Sequence, residues 1–227
     1  MWYTFSREGE YMEIILEGKG SKYFTPNKTI FNLNFVAKSN TYEKVLEKGI
    51  SNVDEFIEEV LIQNGFQKED LKTRNFVIRE ETQYNNETHK QEFDGYSYNQ
   101  YATISFDYNI DLMANIMNSI SKLSFPLTYQ INFGLKDEEK ARKEVLKLAY
   151  EDAESKSKAI ADAAGKTLKR CTKVDSKPFD NVFVSNTNLD YSMMSTRMIN
   201  NIETITTIFT PEDIEIMEYL YCLWLAE

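Results

Sequence analysis

Residues 137–168, DEEKARKEVLKLAYEDAESKSKAIADAAGKTL, predict a long helix with a narrow buried face. Its apolar residues recur at helical spacing along one side, and most of them are small. They are Ala141, Val145, Leu148, Ala149, Ala153, Ala159, Ile160, Ala163 and Ala164. Gly165 predicts the end of the helix, because glycine tolerates the left-handed conformation found there. Small side chains bring a helix axis close to its partner, so we expect this helix to cover a flat sheet.

Other periodic segments predict two more helices and seven strands. Residues 41–64 predict a helix that ends at Gly65, and residues 112–122 predict a short helix. The buried stripe of the first comprises Tyr42, Val45, Leu46, Val53, Phe56, Ile57, Val60 and Leu61. Strands are predicted at 12–17, 29–37, 73–84, 98–110, 127–133, 166–174 and 213–226. This mixture of elements predicts an α+β protein.

Three segments are predicted as turns or loops. Gly18-Lys19-Gly20 follows the first strand and is interpreted as a turn, since no helix follows it as in a phosphate-binding loop. Residues 85–95 are polar and end in Asp94-Gly95, which predicts an extended hairpin tip. Residues 176–201 form a long polar loop, and loops of this length are usually functional or poorly ordered.

Composition excludes several classes of partner. The 227 residues carry a formal net charge of -10, which opposes binding to nucleic acid and docking on anionic lipid. No apolar segment is long enough to span a bilayer, so no membrane insertion is expected. Cys171 and Cys222 are interpreted as free thiols. The N-terminal residues lack the features of a secretion signal, which predicts a cytoplasmic protein, or a periplasmic or extracellular one if a signal was removed.

No pattern of catalytic or metal-binding residues occurs in the sequence. His89 is the single histidine, and neither cysteines nor acidic ligands accompany it at metal-site spacing. Two S-x-x-K matches, at 119–122 and 155–158, lack the companion motifs that would give them meaning. Tyr84, Tyr96, Tyr98, Tyr101 and Tyr108 are interpreted as residues that pack on strands. We therefore expect no catalytic residues, no cofactor and no metal.

The last predicted strand indicates self-association. Residues 213–226 are apolar on both faces of the predicted strand. In a domain with helices on only one face of its sheet, the other apolar face would be exposed to solvent. Tyr219, Tyr221, Leu223 and Trp224 are the predicted contact residues. The two long predicted strands on either side of residues 85–95 could also form a contact between copies, either through their sheet edges or through the hairpin that they form. We expect a homo-oligomer, with a separate protein partner as a further possibility.

The helix of residues 137–168 resembles a helix of the SIMPL-domain family, which includes periplasmic immunogenic proteins of Gram-negative bacteria and an animal kinase-associated adaptor. Ala149, Asp152, Ala153 and Lys156 match the family pattern A-x-x-D-A-x-x-K-A-x-x-(I/L)-A, and Ser157 stands where the family usually has Ala. Further matches, in order, are Glu17-Gly18-Lys19-Gly20, Pro26-Asn27, Asn64-Gly65, Asp70-Leu71-Lys72-Thr73, Gly95-Tyr96, Gly165-Lys166-Thr167-Leu168 and Phe209-Thr210-Pro211-Glu212. Lys169 replaces a usual Gly, and the signal peptide typical of bacterial members is missing.

The resemblance implies a mostly antiparallel sheet with two long helices and one short helix packed on one face. It covers residues 12–226 as a single domain, preceded by an N-terminal extension of residues 1–11. It also implies self-association and supplies no catalytic residues. The expected function is that of a non-enzymatic structural or scaffold protein. The alternative is a module that binds a small molecule or peptide through the 176–201 loop and the sheet surface.

Overall fold

The structure, a computed structural model, describes residues 11–178 and 210–227. Within these ranges the chain forms seven strands and three α-helices. The strands are β1 (Met12–Phe24), β2 (Lys28–Ser39), β3 (Lys72–Asn85), β4 (Lys90–Asp107), β5 (Leu127–Gly134), β6 (Leu168–Asp175) and β7 (Ile214–Ala226), and the helices are α1 (Tyr42–Phe56), α2 (Ile110–Ile120) and α3 (Glu138–Ala163). Most of the predicted loop at 176–201 lies outside the described residues.

These elements confirm the predicted α+β class, and every strand pairing among them is antiparallel. The strands divide between two sheets, where the sequence analysis expected one. Their orders are β1-β7-β6 and β3-β4-β2-β5. The chain forms two compact units: unit 1 contains β1, α3, β6 and β7, and unit 2 contains β2 to β5 with α1 and α2. A single domain over residues 12–226 stays a prediction.

Unit 1 is built on a long pairing between β1 and β7. Their register joins Met12 to Ala226 and Phe24 to Ile214, so β1 is paired along its whole length. Helix α3 covers one face of these two strands. The core between them consists of Met12, Ile14, Ala153, Ala161, Cys222, Trp224 and Ala226. The predicted covering of a sheet by a helix with small buried residues is therefore confirmed.

The predicted turn at Gly18-Lys19-Gly20 is wrong, because all three residues lie within β1. Both glycines are buried against α3. A Cβ atom at Gly18 would lie 2.0 Å from the Ala149 carbonyl oxygen, and one at Gly20 would lie 2.1 Å from the Val145 carbonyl oxygen. Glycine is present here because the strand and helix backbones approach each other, and a strand tolerates glycine at such a contact.

The buried face of α3 is narrower than predicted. Its buried residues recur every four positions and are Ala141, Val145, Ala149, Ala153, Ser157 and Ala161. Ala159, Ala163 and Ala164, which were predicted to be buried, are exposed, and Leu148 is 37% exposed. Apolar character did not identify this face, because alanine is common on both sides of the helix and one of the buried residues is Ser157.

Two charged residues of the family pattern join α3 to β1. The Asp152 Oδ2 atom accepts hydrogen bonds from the Lys19 backbone N–H at 2.8 Å and from Lys156 Nζ at 2.6 Å. Burial disfavours the charged carboxylate, but these hydrogen bonds outweigh it and lower the pKa of Asp152. The acidic residue therefore binds the strand backbone at the point of closest approach.

Unit 2 buries the predicted face of β2 beneath α1. Phe31, Leu33, Phe35 and Ala37 alternate with less buried residues and share a core with Val45 and Phe56 of α1. Helix α1 continues into a π-helical turn at Ile57–Leu61 and a 3-10 turn at Ile62–Asn64, and α2 packs beside these turns. Gly65 ends the segment with a φ of +83°, as predicted. Tyr42 was wrongly placed in the buried stripe, since it is 53% exposed.

Helix α1 also approaches its sheet through a glycine. A Cβ atom at Gly49 would lie 2.3 Å from ring carbons of Tyr98, whose side chain is almost fully buried. The absence of a side chain at Gly49 thus makes room for the Tyr98 ring beneath the helix. None of the described helices is both long enough and apolar enough to cross a bilayer.

We expect Gly18→Ala to destabilise the protein by about 3 kcal/mol, because the added methyl group would force α3 away from β1. Gly134→Ala is the matched control, since its Cβ atom would meet Ile30 Cδ1 at an ordinary 3.7 Å. The control should change the free energy of unfolding by less than about 0.5 kcal/mol. Chemical denaturation measures both, and equal stability of the two variants would contradict the close approach.

Ser157→Ala should stabilise the protein by about 1 kcal/mol. The Ser157 hydroxyl is fully buried, and no described group lies within hydrogen-bonding distance of its oxygen. A buried hydroxyl without a partner costs free energy that a methyl group of similar size does not. Denaturation of Ser157→Ala beside Ser155→Ala, which is exposed on the same helix, measures the difference. Destabilisation of Ser157→Ala alone would show that the hydroxyl has a partner.

Candidate functional site

The four predicted contact residues on β7 lie on opposite faces of its sheet. Trp224 is 3% exposed and packs against Tyr150 of α3, with ring centroids 5.5 Å apart. In a single chain α3 covers Trp224, and its role as a contact residue stays a prediction. Strand alternation places Tyr219, Tyr221 and Leu223 on the face away from α3.

On that face, only part of the predicted contact surface is accessible. Tyr221 is 8% exposed, whereas Tyr219 is 39% exposed and Leu223 is intermediate. Tyr221 lies directly opposite Glu17 of β1. Burial, together with the hydrogen bond that its hydroxyl donates to Glu17 and the charge of that carboxylate, raises the pKa of Tyr221 to about 12. Tyr219 is thus the most accessible of the four residues.

The hairpin of β3 and β4 is longer and more regular than predicted. The predicted tip at 85–95 is mostly strand, and the connecting turn comprises residues 86–89 alone. The predicted turn at Asp94-Gly95 is wrong for the same reason. Gly95 has a φ of +97°, and a register shift lies beside it, where Glu80 pairs with Tyr96 and Thr82 with Phe93. A glycine at this position allows a β-bulge in the ladder.

Beyond this bulge, β3 and β4 pair only with each other among the described strands. Strand β2 pairs with β4 from Ser39, opposite Tyr96, to Lys28, opposite Asp107. Residues 82–93 therefore form a two-stranded arm. His89 lies in its turn, with Nδ1 at 3.1 Å from the Tyr84 hydroxyl. The arm is held by its own pairing and by side-chain contacts.

Exposed aromatic side chains lie along the hairpin and beside it. Phe93 contacts Tyr96, whose ring also meets Tyr42 of α1, at centroid distances of 5.3 and 6.0 Å. Phe76 packs on Tyr98 at 5.1 Å. The exposed aromatic residues of the hairpin are Phe76, Tyr84, Phe93 and Tyr101, which are 47%, 49%, 56% and 46% exposed. Tyr84 and Tyr101 were noted in the sequence as residues that pack on strands, whereas Phe76 and Phe93 were not singled out there.

A cavity of about 240 Å³ lies between α1 and the adjoining ends of β3 and β4. Its walls are formed by Ile50, Val53, Asp54, Ile57, Lys68, Leu71, Thr73, Tyr98 and Gln100. The Tyr98 hydroxyl donates to Gln100 Oε1, and Gln100 Nε2 donates to Thr73 Oγ1 at 2.9 Å. Burial and then the charge of Asp54 raise the pKa of Tyr98, so its hydroxyl remains a hydrogen-bond donor near neutral pH.

The lining of this cavity combines neutral polar groups with the charged side chains of Asp54 and Lys68. The polar groups of Tyr98, Gln100 and Thr73 are already joined in a chain of hydrogen bonds. The lining contains no serine, cysteine or histidine that a general base could activate. Within residues 11–178 and 210–227, no three histidine, cysteine or acidic side chains come together as metal ligands would. The cavity is also smaller than the sites that usually hold drug-sized molecules.

Comparison with known proteins identifies the family of this chain. Residues 14–217 match the family model named SIMPL, described as a protein of unknown function (DUF541). No curated protein matches the chain. The match begins at Ile14 in β1, includes the glycines of that strand and the helix with Asp152 and Lys156, and ends at Met217 in β7. The chain therefore belongs to the SIMPL family.

Proposed function

We propose that this protein is a non-enzymatic, self-associating structural or scaffold protein. The observation that carries the proposal is the β3–β4 hairpin, which presents four exposed aromatic side chains and an edge, on β3, that pairs with no other described strand. Monomeric proteins usually blunt or cover such an edge, because it can pair with strands of other chains. Exposed aromatic residues that lie close together are also typical of contact surfaces.

The sheet face of unit 1 that α3 does not cover supplies secondary support. Tyr219 is accessible there, and Leu223 and Leu225 are partly exposed beside it. These residues are fewer than the sequence analysis expected, since Trp224 belongs to the core and Tyr221 is mostly buried. The hairpin is therefore the better candidate for the contact surface between copies of the chain.

A second candidate function is the binding of a small molecule or of a peptide side chain. The cavity beneath α1 favours it, because apolar walls from Val53, Ile57 and Leu71 are combined with the polar groups of Tyr98 and Gln100. This cavity differs in position from the expected site at 176–201. Its size suits a ligand of few atoms or one side chain.

Self-association predicts a solution mass above the 26.5 kDa of one chain. Higher salt should not dissociate the assembly, because the net charge of -10 opposes contact between copies and salt screens that repulsion. Light scattering over a range of protein and salt concentrations measures this mass. A single-chain mass at every concentration would refute the proposal.

Phe76→Ser should weaken the assembly, because it removes an exposed apolar side chain from the hairpin. Tyr23→Ser is the matched control, since Tyr23 is 62% exposed on β1 and far from the hairpin in sequence. The Phe76 variant should show a dissociation constant raised by about tenfold, as expected for one lost aromatic contact. Equal effects of the two variants would place the contact elsewhere.

Ligand binding predicts a small molecule that accompanies the purified protein and depends on the cavity. Val53→Trp should displace it, because the indole would occupy the space between α1 and Leu71. Native mass spectrometry compares this variant with Val36→Trp, a substitution on β2, which does not line the cavity. An adduct that survives in Val53→Trp would show that the cavity is not its site.

A further inference from the structure

Strand β3 is an edge of its sheet. Its ladder of hydrogen bonds joins it to β4, and no other described strand pairs with it. Ten of the fourteen residues of this strand are exposed, and none is buried. In an antiparallel ladder the backbone N–H and C=O groups of every second residue point away from the neighbouring strand. Along β3 these groups form a row of donors and acceptors that another strand could use.

The sequence of β3 is self-complementary in charge. Phe76, Val77 and Ile78 form an apolar centre. Lys72 and Arg74 precede this centre, whereas Arg79, Glu80 and Glu81 follow it, so that the first half is basic and the second half is acidic on balance. An antiparallel copy would place the basic half of one strand beside the acidic half of the other. A parallel copy would place like charges together, which is unfavourable.

Symmetry restricts the register of such a pair. Two antiparallel neighbours in one sheet are related by a two-fold axis perpendicular to the sheet. Between the register shifts at Thr73/Asn75 and Glu80/Thr82 the strand alternates regularly. Residues opposite each other there must point to the same face, so their numbers are both even or both odd. A two-fold axis at Val77 places Val77 opposite Val77 of the second copy and Phe76 opposite its Ile78. The apolar centres of the two strands then lie side by side.

We propose that β3 pairs antiparallel with β3 of a second copy of this chain, about a two-fold axis at Val77. The inference rests on the proposed self-association and names its interface. The two four-stranded sheets become one sheet of eight strands. Phe76 and Ile78 of both copies form a cluster on one face, and the charged halves of the strands stabilise this register over shifted ones.

A charge swap tests the interface. Arg74→Glu sets a new negative charge beside the acidic half of the other strand, and Glu80→Arg sets a positive charge beside its basic half. Each variant alone should dimerise about tenfold more weakly, because several symmetric charge contacts change sign at once. An equimolar mixture of the two should recover wild-type affinity as a heterodimer. Lys44→Glu, exposed on α1 and equal to Arg74→Glu in its change of net charge, should leave the affinity unchanged.

Cysteine cross-linking tests the register. Val77→Cys, in a Cys171→Ser background, should form a disulfide-linked dimer on mild oxidation, because directly opposed strand residues lie about 4.5–5.5 Å apart. Thr82→Cys in the same background is the control. Its two copies would lie about 33 Å apart at ~3.3 Å per residue and should not cross-link.

The outcomes separate this interface from self-association in general. Recovery of affinity in the mixture, together with cross-linking at position 77 alone, establishes the two-fold pairing. An assembled wild type that is insensitive to both charge swaps and to cysteine at 77 overturns the interface but leaves self-association intact. A wild type that is a single chain at every concentration overturns both. Cross-linking at 82 but not at 77 shows a different register and refutes the axis at Val77.

Discussion

The contact between the backbones of β1 and α3 is the constraint on which unit 1 depends. Gly18 and Gly20 allow the strand to approach the carbonyl oxygens of Val145 and Ala149, where any side chain would clash. This closeness brings the Lys19 N–H within reach of the Asp152 carboxylate. It also explains why the helix needs alanine on its buried face, since a larger residue would lift it off the sheet. Packing and hydrogen bonding thus require the same spacing.

The regular elements could be predicted from the sequence because their signals are local. Alternation in β2 identified its buried face, and helical spacing with Gly65 and Gly165 located the ends of two helices. Glycine within a strand, in contrast, led to wrong predictions. Gly18 and Gly95 were interpreted as turn residues, yet one allows a close helix contact and the other a β-bulge. The residue type is the same in each case, and the difference lies in a partner distant in sequence.

The candidate site was predictable only in part, for a related reason. The apolar strand β7 was recognised, but its two faces could not be assigned without knowing that α3 covers Trp224. The exposure of Phe76 and Phe93 could not be predicted, because the sequences of their strands do not differ from those of strands inside a sheet. Their exposure follows from strand order, which leaves β3 at an edge, and from the length by which the hairpin extends beyond β2. Strand order is a property of the whole chain.

The pairing of β1 with β7 has a consequence for how the chain folds during synthesis. Strand β1 is made early, but its partner in the sheet ends at Ala226. All the described strands and helices of unit 2 end by Gly134, and the hydrogen bond from the Asn27 N–H to the Gly134 carbonyl oxygen joins the two ends of this segment. Unit 2 can therefore fold on the ribosome while the apolar face of β1 still lacks its strand partner. Contacts so distant in sequence form slowly, and apolar strand surface that waits for its partner is prone to aggregate during that interval.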